Sequence, residues 1–157
     1  NKEDFRIIND RPMSQGTRCQ QLAMYVVYYA PLEMLSDAPT RYEKEPDILH
    51  FLASAPTVWD ETLPLDGKVS DYVLMARRKG NTWWVGAMTD WTARSFTLDL
   101  KFLGEGTYTM ELFRDGANAH RIGDDYVREV RSVTRNDKIL LELAPGRGWA
   151  ARITPNN

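Results

Sequence analysis

Cysteine, histidine and net charge are what this 157-residue sequence has least of, and each shortage removes a class of protein. There is one cysteine, Cys19, so no disulfide can form within the chain and cysteine does not identify a compartment. The two histidines, His50 and His120, stand in separate segments and, with a lone cysteine, offer no zinc-ligand spacing. Lys and Arg number 20 against 22 Asp and Glu, a net charge of −2. A chain without basic excess carries no electrostatic footprint for nucleic acid or an anionic membrane. No apolar run approaches the ~18 residues of a membrane span; the longest, residues 22–35, is interrupted by Pro31 and Glu33. No Gly-Lys-Ser/Thr phosphate loop is present, and Asp124-Asp125 is too little for a calcium loop. The opening Asn1-Lys2-Glu3-Asp4 is polar and does not read as a signal peptide. So abrupt a start is expected of a segment cut from something longer.

What is there suffices for a packed core, with 43% apolar and 27% charged residues. The pattern changes character near residue 57. Before it, helical spacing dominates. Gly16-Thr17 precede a helix expected from Arg18 to Ala30, apolar on nearly every side and stopped by Pro31. Leu32-Glu33-Met34-Leu35 fits a short buried strand, and Pro46-Asp47 opens a second helix whose apolar face is Ile48, Leu49, Phe51 and Leu52. After Pro56 the period falls to two. Extended segments are expected at 57–62, 71–78, 82–90, 95–100, 107–113, 126–134, 138–143 and 149–153. Turn signals such as Lys79-Gly80-Asn81, Gly104-Glu105-Gly106, Arg135-Asn136-Asp137 and Pro145-Gly146-Arg147-Gly148 separate them. Short strands at this spacing predict an antiparallel sandwich or small barrel.

Carboxylates are the first place to seek an enzyme, because glycoside hydrolysis needs two of them facing across the scissile bond. Glu33 and Asp37 flank the short strand; Asp60, Glu61, Asp66, Asp90 and Asp115 fall at strand ends or turns. None forms a pair by spacing, and solvated or turn-forming roles account for them. Asp37 is the exception, a candidate substrate contact at the end of a buried strand, where α/β barrels carry functional groups. Trp59, Trp83, Trp84 and Trp91 offer either a sugar-stacking platform or packing and interface contacts. Adjacent strand residues face opposite ways, so Trp83 and Trp84 cannot share one core. One is expected in the sandwich core together with Trp59, and the other covered from outside. Cys19 reads as a small buried hydrophobe and His50 as a packed or surface histidine.

Several stretches together resemble one family. They are Gly16-Thr17-Arg18-Cys19-Gln20-Gln21-Leu22-Ala23-Met24-Tyr25-Val26-Val27-Tyr28, then Pro31-Leu32-Glu33-Met34-Leu35-Ser36-Asp37, then Pro56-Thr57-Val58-Trp59-Asp60-Glu61-Thr62. Ala76-Arg77-Arg78-Lys79-Gly80, Trp84-Val85-Gly86-Ala87-Met88-Thr89-Asp90-Trp91 and Phe113-Arg114-Asp115-Gly116 complete the set. The chain resembles the C-terminal end of glycoside hydrolase family 97, whose members are α-glucosidases and α-galactosidases. The resemblance implies a mixed α+β fragment: residues 1–56 as the last elements of a (β/α) barrel, and 57–157 as a C-terminal antiparallel β-sandwich of the oligomerisation type. It implies calcium for the complete enzyme but no cofactor, metal ligand or catalytic residue in this chain. The implied partners are the remainder of the parent enzyme and a second copy, and the implied setting is the bacterial periplasm or exterior. A carbohydrate-binding module using an exposed Trp of the hairpin is the alternative.

Overall fold

The computed structural model describes residues 6–9, 14–30 and 38–156. The expected strand at Leu32 to Leu35, with Pro31 before it and Asp37 after it, lies outside them. Among the described residues three helices come first: α1 (Arg18–Val27), α2 (Pro39–Tyr42) and α3 (Pro46–Ser54). Eight strands follow among the described residues: β1 (Glu61–Lys68), β2 (Tyr72–Lys79), β3 (Thr82–Thr89), β4 (Arg94–Asp99), β5 (Thr107–Asp115), β6 (Tyr126–Thr134), β7 (Lys138–Leu143) and β8 (Gly148–Pro155).

All pairings are antiparallel. One sheet has six strands in the order β1-β2-β3-β8-β5-β6, and β4 pairs with β7 in a second. The sandwich is therefore unequal. Its core lies between the two sheets, where Trp83, Val85, Met110, Leu112, Trp149 and Ile153 meet Leu98, Ile139, Leu141 and Leu143. Alternation supplies both linings: β7 buries Ile139, Leu141 and Leu143 and exposes Lys138, Leu140 and Glu142. The β2–β3 hairpin closes between Lys79 and Thr82, with Gly80 at φ 57, a left-handed value that suits glycine.

The larger sheet also buries its other face. Trp84, Phe113 and Ala150 pack there against Cys19, Leu22 and Val26 of α1 and Ile48 and Phe51 of α3. The molecule is thus three layers: helices, six-stranded sheet, two-stranded sheet. A strand buried on both faces explains why β3 reads as a continuous apolar run rather than an alternating one.

Three expectations are corrected. The helix ends at Val27, not Ala30. Tyr28 is already extended at φ −78 and ψ 141, and the carbonyls of Val27 and Tyr28 accept hydrogen bonds from the Arg77 guanidinium at 3.1 and 3.0 Å. Tyr29, within the helix expected from the sequence, is consequently 73% exposed. The first strand begins at Glu61 instead of Thr57 and runs through Pro64, with its register broken between Pro64 and Asp66. Proline is tolerated there because β1 is an edge. Trp59 is not in the sandwich core. It sits on the helical side, edge-on to Trp84 at 5.4 Å between ring centroids.

Candidate functional site

The seam between α1 and the large sheet gathers most of the unusual side chains. The close approach begins with two glycines. A Cβ on Gly86 would lie 2.9 Å from Val26 Cβ and 3.1 Å from the Ala23 carbonyl oxygen. One on Gly148 would lie 2.4 Å from Gln20 Cα. Only bare backbone lets the helix settle so low on β3 and β8.

Both helix ends are tied to the sandwich. At the N-terminus, the Thr17 hydroxyl accepts from the Gln20 amide at 3.3 Å, the N-cap bond that satisfies an otherwise orphan donor. The Arg18 amide donates to the Gly123 carbonyl at 2.8 Å, and the Arg18 guanidinium reaches Asp124 at 2.8 Å. At the C-terminus, Arg77 is a buried cation placed where the helix dipole is negative. Its guanidinium carbon lies 5.7 Å from the Trp59 ring centre and 6.0 Å from that of Tyr29.

Asp115, at the end of β5, is a largely buried carboxylate of this seam. Burial pushes its pKa up, against hydrogen bonding from Thr17 and Cys19 and the charge of Arg147, whose Nη1 lies 3.8 Å from Oδ2. The Cys19 thiol is also pushed well up, by burial first and then by Asp115. This is the reverse of nucleophile activation, which needs a lowered thiol pKa or an adjacent base. Neither histidine joins the group. His50 Nε2 sits 3.1 Å from Arg152, and His120 Nδ1 sits 3.2 Å from the Ala117 carbonyl. The cluster ties α1 to β5.

Asp60, Glu61, Asp66 and Asp90 are engaged in surface pairs and turns. Asp60 takes Lys79 Nζ at 2.7 Å and the Gly80 amide at 2.8 Å, which fastens the hairpin to the start of β1. Glu61 pairs with Arg78 at 2.9 Å. Asp66 accepts from the Gly67 amide, and Asp90 is held by Arg94 and the Thr92 amide, which lower its pKa to about 2. Among the described residues, no group of three or more His, Cys, Asp or Glu could hold a metal ion. Candidate Asp37, like Glu33, falls outside the described residues.

The tryptophans divide by layer. Trp83 is 6% exposed in the sandwich core, its ring 4.9 Å from that of Phe102. Trp84 is 4% exposed beneath the helices. Trp91, after β3, is 42% exposed and lies over Gly146, in a cleft of about 300 Å³ that it shares with Gln20, Gln21, Met24 and Asp90. Sequence reasoning missed Arg77 and the pair Gly86 and Gly148. Gly86 could have been found, since glycine within a strand signals close backbone approach.

Fold and site together define a helix-backed antiparallel sandwich, with its helices packed on the larger sheet. The sequence profile of the family described as glycosyl-hydrolase 97 C-terminal, oligomerisation, matches residues 58–154, and the chain belongs to that family. It is 51% identical over 142 residues to a retaining alpha-galactosidase of Bacteroides thetaiotaomicron, covering 90% of this chain and 22% of that protein. It is 30% identical over 131 residues to a probable retaining alpha-galactosidase of Streptomyces bingchenggensis, covering 83% of this chain and 20% of that one. A solved glycoside hydrolase family 97 enzyme from a Pseudoalteromonas species, in complex with acarbose, superposes with a TM-score of 0.86 at 38% identity. That match covers 91% of this chain and 23% of the enzyme. The chain spans about a fifth of the length of the curated relatives it matches.

Proposed function

We propose that this chain is the C-terminal end of an exo-acting α-glycoside hydrolase, in which residues 1–56 close the catalytic (β/α) barrel and the sandwich supports the barrel and joins subunits. The match to a retaining alpha-galactosidase carries the reading, because it runs across helices and sandwich alike, over 142 residues. It favours α-galactosides over α-glucosides as the substrate class of the complete enzyme. The geometry agrees. Asp60, Glu61, Asp66, Asp90 and Asp115 are tied into turns, surface pairs and the α1 seam, and acid and base would come from other parts of the parent protein. The family's calcium finds no fitting ligand group among the described residues and would likewise be held elsewhere. The carbohydrate-binding alternative loses its residue, since both hairpin tryptophans are buried.

The test is direct. The purified chain, with calcium present, is incubated with chromogenic aryl α-galactosides and α-glucosides. No release is expected from the chain alone, and release is expected from the same chain joined to its upstream sequence. Product formed by the chain alone overturns the proposal.

A further inference from the structure

The two edges of the six-stranded sheet are built differently. At β1, Pro64 and a register break disrupt the ladder, the usual devices against unwanted strand pairing. At β6 there is neither. Its register with β5 is unbroken over nine pairs, from Tyr126 opposite Asp115 to Thr134 opposite Thr107. Among the described residues no strand pairs with the far side of β6. Val130, at its centre, is 55% exposed.

We propose that β6 is the subunit contact: two copies of this chain pair their β6 strands antiparallel about a two-fold axis at Val130, so that the large sheets run on into one another. The inference rests on the oligomerisation reading above and assigns it a surface. Residues directly opposite in such a pair must project from the same face of the sheet, so the axis must pass through a residue rather than between two. Centring on Arg128, Glu129 or Arg131 sets a like charge against itself. Centring on Ser132 leaves residues 126–129 unpaired. Centring on Val130 uses the whole strand. It sets Val127 against Val133, Arg128 against Ser132, and Glu129 against Arg131 on both sides of the axis. Glu129 and Arg131 already attract within one strand, at 2.7 Å. Across the axis each gains a further partner of opposite sign, and no like charges are opposed. Glu45, the N-cap of α3, and Asp47 within it hold the Tyr126 end, through Tyr126 and Arg128. In the paired strands the two α3 helices therefore stand at opposite ends.

Charge reversal with complementation tests this. The R131E change sets carboxylate against carboxylate on both sides of the axis, and the E129R change sets guanidinium against guanidinium. Each variant alone should dimerise about tenfold more weakly or worse. An equimolar mixture restores opposite charges at both positions and should recover wild-type association. Sedimentation velocity follows the association, and thermal unfolding checks each fold, since Glu129 also holds Arg114. If a variant does not fold, hydrogen exchange on the wild-type chain decides. The β6 amides that point away from β5 should gain protection only at concentrations where the chain associates. A wild-type chain that stays monomeric would overturn the oligomerisation reading itself. An associating chain whose variants associate equally well, or fail to complement, would overturn only the assignment to β6.

Discussion

Replacing Gly148 by alanine probes whether α1 truly rests on the sheet. The added Cβ would meet Gln20 Cα at 2.4 Å, Gln20 N at 2.8 Å and the Cys19 carbonyl oxygen at 2.9 Å. All three are backbone atoms, so no side chain can swing aside. To reach an ordinary contact the helix must rise by about 1 Å there, which loosens Leu22 and Val26 from Trp84 and Ala150. Overpacking of this kind costs about 1–3 kcal/mol, a large share of a stability of roughly 5–15 kcal/mol. Alanine also restricts the unfolded chain, which offsets about 0.4–1 kcal/mol. Gly67→Ala carries the same unfolded-state effect without the clash, because its Cβ meets only Tyr72 O at 3.4 Å and Val73 Cα at 3.9 Å. The difference between the two variants therefore isolates the helix contact. Urea unfolding followed by tryptophan fluorescence should place Gly148→Ala below Gly67→Ala by about 2 kcal/mol. Equal midpoints would refute the seating of α1 on β8.

Two further outcomes are expected. Trp83→Ala and Trp84→Ala should each cost about 3–5 kcal/mol, but only Trp84→Ala should open residues 14–56 to proteolysis at low urea; small losses in both would contradict the three-layer packing. Asp115 has a raised pKa, so the folded state binds its proton more tightly than the unfolded chain does. Its contribution to stability should therefore improve as pH falls from the raised value towards about 3.9. Asp115→Asn should remove that slope relative to wild type in urea midpoints taken across this range, and identical slopes would show that burial does not set its titration.

Much of the sandwich is legible in the sequence because its signals are local. Leu98 and Leu100, and the Ile139, Leu141 and Leu143 series, alternate cleanly, and Gly80, Asp137 and Gly146 mark turns. Strand β1 is harder to place because it is largely exposed and has almost no apolar alternation, while Pro64 argues against a strand that only its edge position permits. The hairpin pair shows from sequence that its rings face two ways. The layer that receives Trp59 does not, since no local pattern tells which face of a sheet a distant helix will cover. Arg77 is hidden for a similar reason. Within Ala76-Arg77-Arg78-Lys79 it looks like one solvated cation of three, and only the arrival of the α1 carbonyls makes it a buried one.

The double tethering of α1 bears on how such a module can be exchanged between proteins. The family profile begins at residue 58, yet a splice made there would strip Trp84, Phe113 and Ala150 of their cover and leave Arg77 without the carbonyls it caps. The unit that can be inherited or grafted intact is the sandwich with its helices, and the workable crossover point lies upstream of Thr17.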